Sequence, residues 1–229
     1  MKQAAPQFAA ANDVAQTAES RTGDGRASIL QTALEEFATR GFDGASTTSI
    51  ARRSGFTQPL IHYHFGSKEG LWQAVVDDLF TRLGGEFIDA VKQVPPSPDA
   101  ARATLLALTR EFVRFCGRHP QFPRLLYLEL PLESPRSKWL LDTWVAPVVS
   151  KVLELHAVYG PQSGMKDIPI GHLMAIVTGA AATPFALGSF MKDAYGIDPD
   201  SEAMIERHAA AMVALLDNGL FVNRRIAPR

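Results

Sequence analysis

The stretch Ser46–Gly70, STTSIARRSGFTQPLIHYHFGSKEG, decides how this chain folds. Ser46 can cap a helix carrying Ile50 and Ala51, a glycine follows at 55, and Ile61 stands beyond it. A small residue at 51 lets a second helix pack close, Gly55 permits a tight turn, and an aliphatic side chain at 61 pins the second helix onto the first. That spacing specifies a helix-turn-helix, whose second helix can enter a major groove. In the second helix Thr57 can cap, Pro59 fits the first turn, and Ile61 with Phe65 at i,i+4 face inward. Gln58, Leu60, His62, Tyr63 and His64 are left to cover the outer face and flanks. Glutamine can be bidentate to adenine, leucine can meet a thymine methyl, and tyrosine, histidine and lysine suit phosphates.

The charge around this motif is balanced. From Asp24 to Gly70, Arg26, Arg40, Arg52, Arg53 and Lys68 are matched by Asp24, Glu35, Glu36, Asp43 and Glu69. A neutral segment argues against tight non-specific binding to a polyanion. It leaves room for a local basic edge at Arg52, Arg53 and Lys68, aided by helix N-termini that hydrogen-bond phosphate. His62 and His64 lie at i,i+2, about 200° apart on a helix, so they cannot share one ion and no metal site is expected.

Outward from the motif the chain reads as all-α. Ser97-Pro98, Ser134-Pro135 and Asp198-Pro199 each place a good N-cap before a proline, so helices are predicted to start near 98, 135 and 199. Stops are predicted at Gly41, at His119 before Pro120, at Gly160-Pro161 and at Gly196. Between these marks apolar residues recur at helical spacing, as in Ile29, Leu30, Ala33, Leu34 and Phe37. About nine helices follow: near 25–40, 47–53, 58–64, 68–92, 98–118, 121–129, 135–158, 168–194 and 199–219. Residues 1–23 read as a disordered tail, 24–67 as a three-helix head and 68–229 as a larger helical body.

The whole chain, 229 residues with 46% hydrophobic and 21% charged residues, is long enough to bury a core without staples. Its formal net charge of -1 advertises no polyanion partner, although placement of charge matters more than its sum. A lone cysteine, Cys116, allows no internal disulfide and fits a reducing compartment. The N-terminal alanines lack the apolar run of a signal peptide, so a cytoplasmic location is expected. The uncharged stretch Ile168–Met191 is interrupted by His172, Thr178, Thr183, Pro184 and Ser189, so a helix buried among others is expected there and no membrane partner. TGAAATPFALGSF and HAAAMVALLDNGLF, in the last two helices, present small residues and a broad uncharged face. A two-fold homodimer through these helices would cover that face.

At this point the sequence resembles the TetR-type bacterial transcriptional regulators. The likeness runs from Arg26 to Val76, through the opening helix ASILQTALEEFATRGF, the helix-turn-helix STTSIARRSGFTQPLIHYHF and the entry GSKEGL to a long fourth helix. The resemblance implies that Thr48, before the turn, and Gln58, Pro59, Leu60, His62, Tyr63 and His64 face double-stranded DNA, with Lys68 against a phosphate. The family most often has tyrosine where His62 stands. It also implies a pocket between the middle helices for a small-molecule inducer, and Phe112, Phe115, Cys116, Trp139, Trp144 and His172 are its candidate lining. The expected function is therefore a regulator, most often a repressor in this family, released from a near-palindromic operator by its inducer, with no cofactor and no catalysis. Two rival readings are a helical dimeric scaffold that does not bind DNA and an enzyme; no G-x-S-x-G, P-loop or H-E-x-x-H pattern supports the latter.

Overall fold

The computed structural model describes residues 8–95, 97, 100–159, 166 and 168–221. Their regular elements are all helices, with no β-strand among the described residues. The chain divides into two compact units, Met1–Asp77 and Asp78–Arg229.

The first unit holds α1 (Phe8–Gly44), α2 (Thr47–Ser54), α3 (Gln58–Phe65) and the start of α4 (Lys68–Lys92). The predicted stop at Gly41 is present as a break in α1, where that residue takes φ 66° and ψ 177°. The start is not where the sequence suggests. Helix extends back to Phe8, into the segment expected to be an unstructured tail. After Pro6 this alanine-rich run contains no proline to end a helix propagated from the anchored residues downstream. Ile29, Leu34, Phe37, Ile50, Ile61, Leu71, Trp72 and Val76 are buried in this unit. Each such side chain contributes roughly 1.5–3 kcal/mol, enough to hold a small helical head.

The second unit continues α4 and adds α5 (Ala100–Arg118), α6 (Gln121–Glu129), α7 (Pro135–Leu140), α8 (Ala146–Tyr159), α9 (Ile170–Ala186), α10 (Gly188–Tyr195) and α11 (Glu202–Leu220). Residues 98 and 160–161, where a start and a stop are predicted, lie outside the described residues. Ser134 caps α7 as expected, accepting from the Ser137 N–H while the Ser137 side chain bonds back to Ser134. The helix expected over 135–158 is interrupted by a π turn at Leu141–Val145, where the Ala146 N–H reaches the Leu141 carbonyl. Pro147 supplies a reason, because its ring would collide with the Thr143 carbonyl of a regular helix and the wider turn moves that oxygen aside.

The helix expected over 168–194 is also two, α9 and α10, bent by 80° at Leu187. Two side chains from other helices satisfy carbonyls at this bend. Pro184 has no N–H for the Ala180 carbonyl, and His208 Nε2 lies 2.9 Å from that oxygen. Arg124 Nε donates to the Ala186 carbonyl, 3.4 Å away, at the C-terminal end of α9. The start expected at Asp198-Pro199 falls instead at Ser201, whose hydroxyl accepts from the Met204 N–H ahead of Glu202 in the first turn. Among the described residues no single helix is long and apolar enough to cross a membrane.

Helices α5 and α11 are joined by close packing and by ion pairs. Gly117 faces Ile205, and a Cβ at 117 would come within 2.6 Å of that side chain. Arg102 pairs with Asp217, Arg114 with Glu206 and Arg118 with Glu202, each at 2.7 Å. Leu173, Leu216, Leu220 and Phe221 form a buried apolar cluster, against which Leu105, Leu106 and Val177 pack.

Candidate nucleic-acid interface

The helix-turn-helix is built by its caps. Ser46 accepts from the Ser49 N–H to begin α2, and Gly55 ends it in the left-handed region at φ 79°. A side chain at 55 would strain that turn. The Phe56 N–H also returns to the Ala51 carbonyl at 2.9 Å, so the turn closes tightly on α2. Thr57 has the extended backbone of a cap but makes no side-chain capping bond, and Pro59 stands in the first turn of α3. At the other end of α3, a Cβ on Gly70 would collide with the Phe65 carbonyl, so this close approach to α4 requires glycine.

Burial sorts the residues of α3 as the spacing predicts. Ile61 is buried and Phe65 half-buried, with the Arg26 guanidinium 5.4 Å from the Phe65 ring. Gln58, Pro59, His62 and Tyr63 are exposed, Tyr63 to 81%, while Leu60 and His64 are half-buried. Thr48 is exposed at the start of α2 and donates to Gln58 Oε1 at 3.0 Å. Lys68 begins α4; its Nζ donates to the Asp43 carbonyl at 3.4 Å and stands 4.6 Å from the Phe42 ring centre. Ser67 accepts from the Gly70 N–H at that same helix start.

The expected basic edge is smaller than the sequence suggests. Arg53 is turned away from it, donating to Glu36 at 2.8 Å and to Glu35 at 2.7 Å. Glu36 is only 2% exposed, and an ionised carboxylate buried to that degree requires a cation. Arg53 on α2 thus neutralises α1, leaving Arg52, which is exposed, and Lys68.

The candidate ligand residues divide among different environments in the second unit. Phe112 packs edge-on to Phe87 and Phe122, and Phe115 packs on Phe122 with ring centres 5.2 Å apart. Trp144, on the π turn, stacks on Phe80 at 5.3 Å, and Phe80 in turn meets Phe122 at 5.4 Å. Phe112, Phe115 and Trp144 therefore belong to one aromatic cluster. Trp139 is half-buried on α7. Cys116 is fully buried, and burial pushes its thiol far above the ordinary range, so it is an inert core group. His172 is exposed near the start of α9.

Sequence reasoning missed several residues of this region. Phe80 and Phe87, seven apart on α4, share a helix face that periodicity could have exposed. Glu86 lies between them in sequence, with its carboxyl raised by burial and then by the neighbouring Glu111. His119, tilted against Phe115 at 4.6 Å, is lowered by burial first and then by Arg82 and Arg118. No spacing signal distinguishes these two from surface residues.

Comparison with known proteins places these observations in context. Residues 29–75 match the model of bacterial regulatory proteins of the tetR family. The chain is 29% identical over 136 residues to the HTH-type transcriptional regulator EthR of Mycolicibacterium smegmatis, covering 57% of this chain and 61% of that one. It thus spans less than two thirds of that relative. It is 25% identical over 205 residues to the tetracycline repressor protein class C of Escherichia coli, covering 84% and 90% of the two chains. Among solved structures, the ketosteroid transcriptional regulator KstR2 of Mycobacterium tuberculosis superposes with a TM-score of 0.68 at 15% identity, covering 86% of this chain and 95% of that one.

Proposed function

Since the chain belongs to the tetR family of bacterial regulatory proteins, we propose that it is a homodimeric, cytoplasmic repressor that binds a near-palindromic operator and leaves it when a small molecule binds the second unit. The observation that carries this reading is the row of exposed polar and apolar groups on α3, held in place by a turn that closes on α2. Gln58 reads a base edge, Leu60 and Pro59 meet apolar groups in the groove, and His62, Tyr63, His64 and Lys68 hold phosphates. One neutral head supplies few phosphate contacts. Two heads related by a two-fold axis supply twice as many and read an inverted repeat.

The dimer surface lies on α9 and α11, where Ile176 is 58% and Leu215 70% exposed. Small residues along α9 allow close approach of a second copy. The effector is a mostly apolar molecule taken up beside the aromatic cluster of Phe80, Phe112, Phe122 and Trp144. It acts only if it favours the non-binding arrangement of the two heads, since equal affinity for both states shifts nothing. α4, which contributes to both units, is the route by which that preference travels.

Footprinting tests the reading. The full chain should protect a symmetric site in DNA flanking the transcription units beside its own gene. Absence of protection across that region would favour the scaffold.

A further inference from the structure

Gln58 is exposed on the first turn of α3, yet its amide is already engaged. Thr48 Oγ1 donates to Gln58 Oε1 at 3.0 Å, and Gln58 Nε2 donates to Thr47 Oγ1 at 3.4 Å. Both threonines belong to the first turn of α2, so these bonds tie the two helices across the turn through one side chain. A primary amide offers two lone pairs and two N–H hydrogens. The threonines use one of each. One acceptor and one donor remain, the complement of the N6–H and N7 that adenine presents in the major groove.

A hydroxyl can donate or accept, so the two threonines hold the position and plane of the amide without selecting its oxygen end. Holding the plane is what matters for a two-point contact. A free glutamine loses rotamer freedom when it docks, whereas one already held has lost it on folding.

Resting on the reading of α3 as the DNA-contacting helix, we propose that Thr48, supported by Thr47, is a positioning residue that sets base specificity through Gln58. Thr48 acts by orienting the amide and contributes no phosphate contact of its own. Thr48→Val removes the hydroxyl while keeping the β-branch and nearly the volume, and Thr48→Ser keeps the hydroxyl.

The test is selection from random duplex DNA by the full-length wild type, Thr48→Val, Thr48→Ser, Gln58→Ala and the Thr48→Val/Gln58→Ala double variant. Gln58→Ala should relax preference at one base pair in each half-site. Thr48→Val should relax that same base pair, its preference falling about tenfold, a loss within the discrimination of one bidentate contact. Thr48→Ser should retain the wild-type motif, and the double variant should be no more relaxed than Gln58→Ala alone, because the threonine acts only through the glutamine. Recovery of the full wild-type motif by Thr48→Val would overturn the inference. Uniform weakening at every sequence, or relaxation at a different base pair, would overturn it equally. If the wild type enriches no sequence, the DNA reading of α3 fails and this role fails with it.

Discussion

Tyr63 and Lys68 are assigned different work from Gln58, and affinity measurements can separate them. Tyr63 is 81% exposed, and Lys68 rests over Phe42 at a helix start, positions suited to phosphate. Replacing either by alanine should weaken all sites to a similar degree. Lys68→Ala should also reduce the slope of log affinity against log salt by about 1, measured by titration at several salt concentrations. His119 provides a second residue-scale prediction. Its imidazole is depressed by burial and by Arg82 and Arg118, although Asp78 partly offsets them. Its stabilising contribution is complete above the unfolded value of about 6.5 and is lost as pH falls through the folded value. Glu86, raised by burial and Glu111, works the other way, contributing at low pH and losing effect as pH rises. His119→Gln should therefore flatten the decline in denaturation midpoint as pH falls below about 6.5, the unfolded value of the histidine. The outward row on α3 was legible from sequence because the motif fixes its register. The fate of Arg53 was not, because the spacing of α2 carries no information about a buried Glu36 on α1.

Elements with strong punctuation were legible in the same way. Ser46, Gly55, Ser134 and Gly196 mark ends that depend only on local backbone chemistry, and the helices stop or start there. Proline inside a helix is different, because its outcome depends on what neighbours provide. Pro184 leaves the Ala180 carbonyl without its usual partner, and His208 occupies that place while packing edge-on to Phe185 at 5.8 Å. Neither the 80° bend nor its support by Arg124 and His208 could be read from residues 168–194 alone. His208→Phe would preserve the aromatic packing and remove the hydrogen bond. It should cost about 0.5–1.5 kcal/mol, the net worth of one hydrogen bond to an exposed carbonyl, measured by chemical denaturation. A variant as stable as the wild type would show that the carbonyl finds water instead.

At the scale of the whole molecule, the near-zero net charge now has a consistent meaning. With Arg53 committed to Glu35 and Glu36, each head has few cations free for phosphate. On the proposed function, binding then depends on a handful of placed contacts repeated by a second copy. Leu215, 70% exposed on α11, is the residue of the proposed dimer surface at which that repetition is best broken. Leu215→Glu should shift sedimentation from dimer to monomer and weaken operator binding while leaving helical content unchanged. The all-α class and the helix-turn-helix were legible because they rest on short-range patterns. The aromatic cluster joining Phe80, Phe112, Phe122 and Trp144 was only partly so, because it depends on which helices pack together and on the π turn that carries Trp144.

The central claim, a two-headed reader of an inverted repeat, is tested most directly by sedimentation of a labelled duplex that carries the footprinted site. The predicted complex has the mass of the duplex plus two chains, and scrambling one half-site should abolish it at the same protein concentration. A complex containing one chain, or one indifferent to the scrambled half-site, would contradict the account.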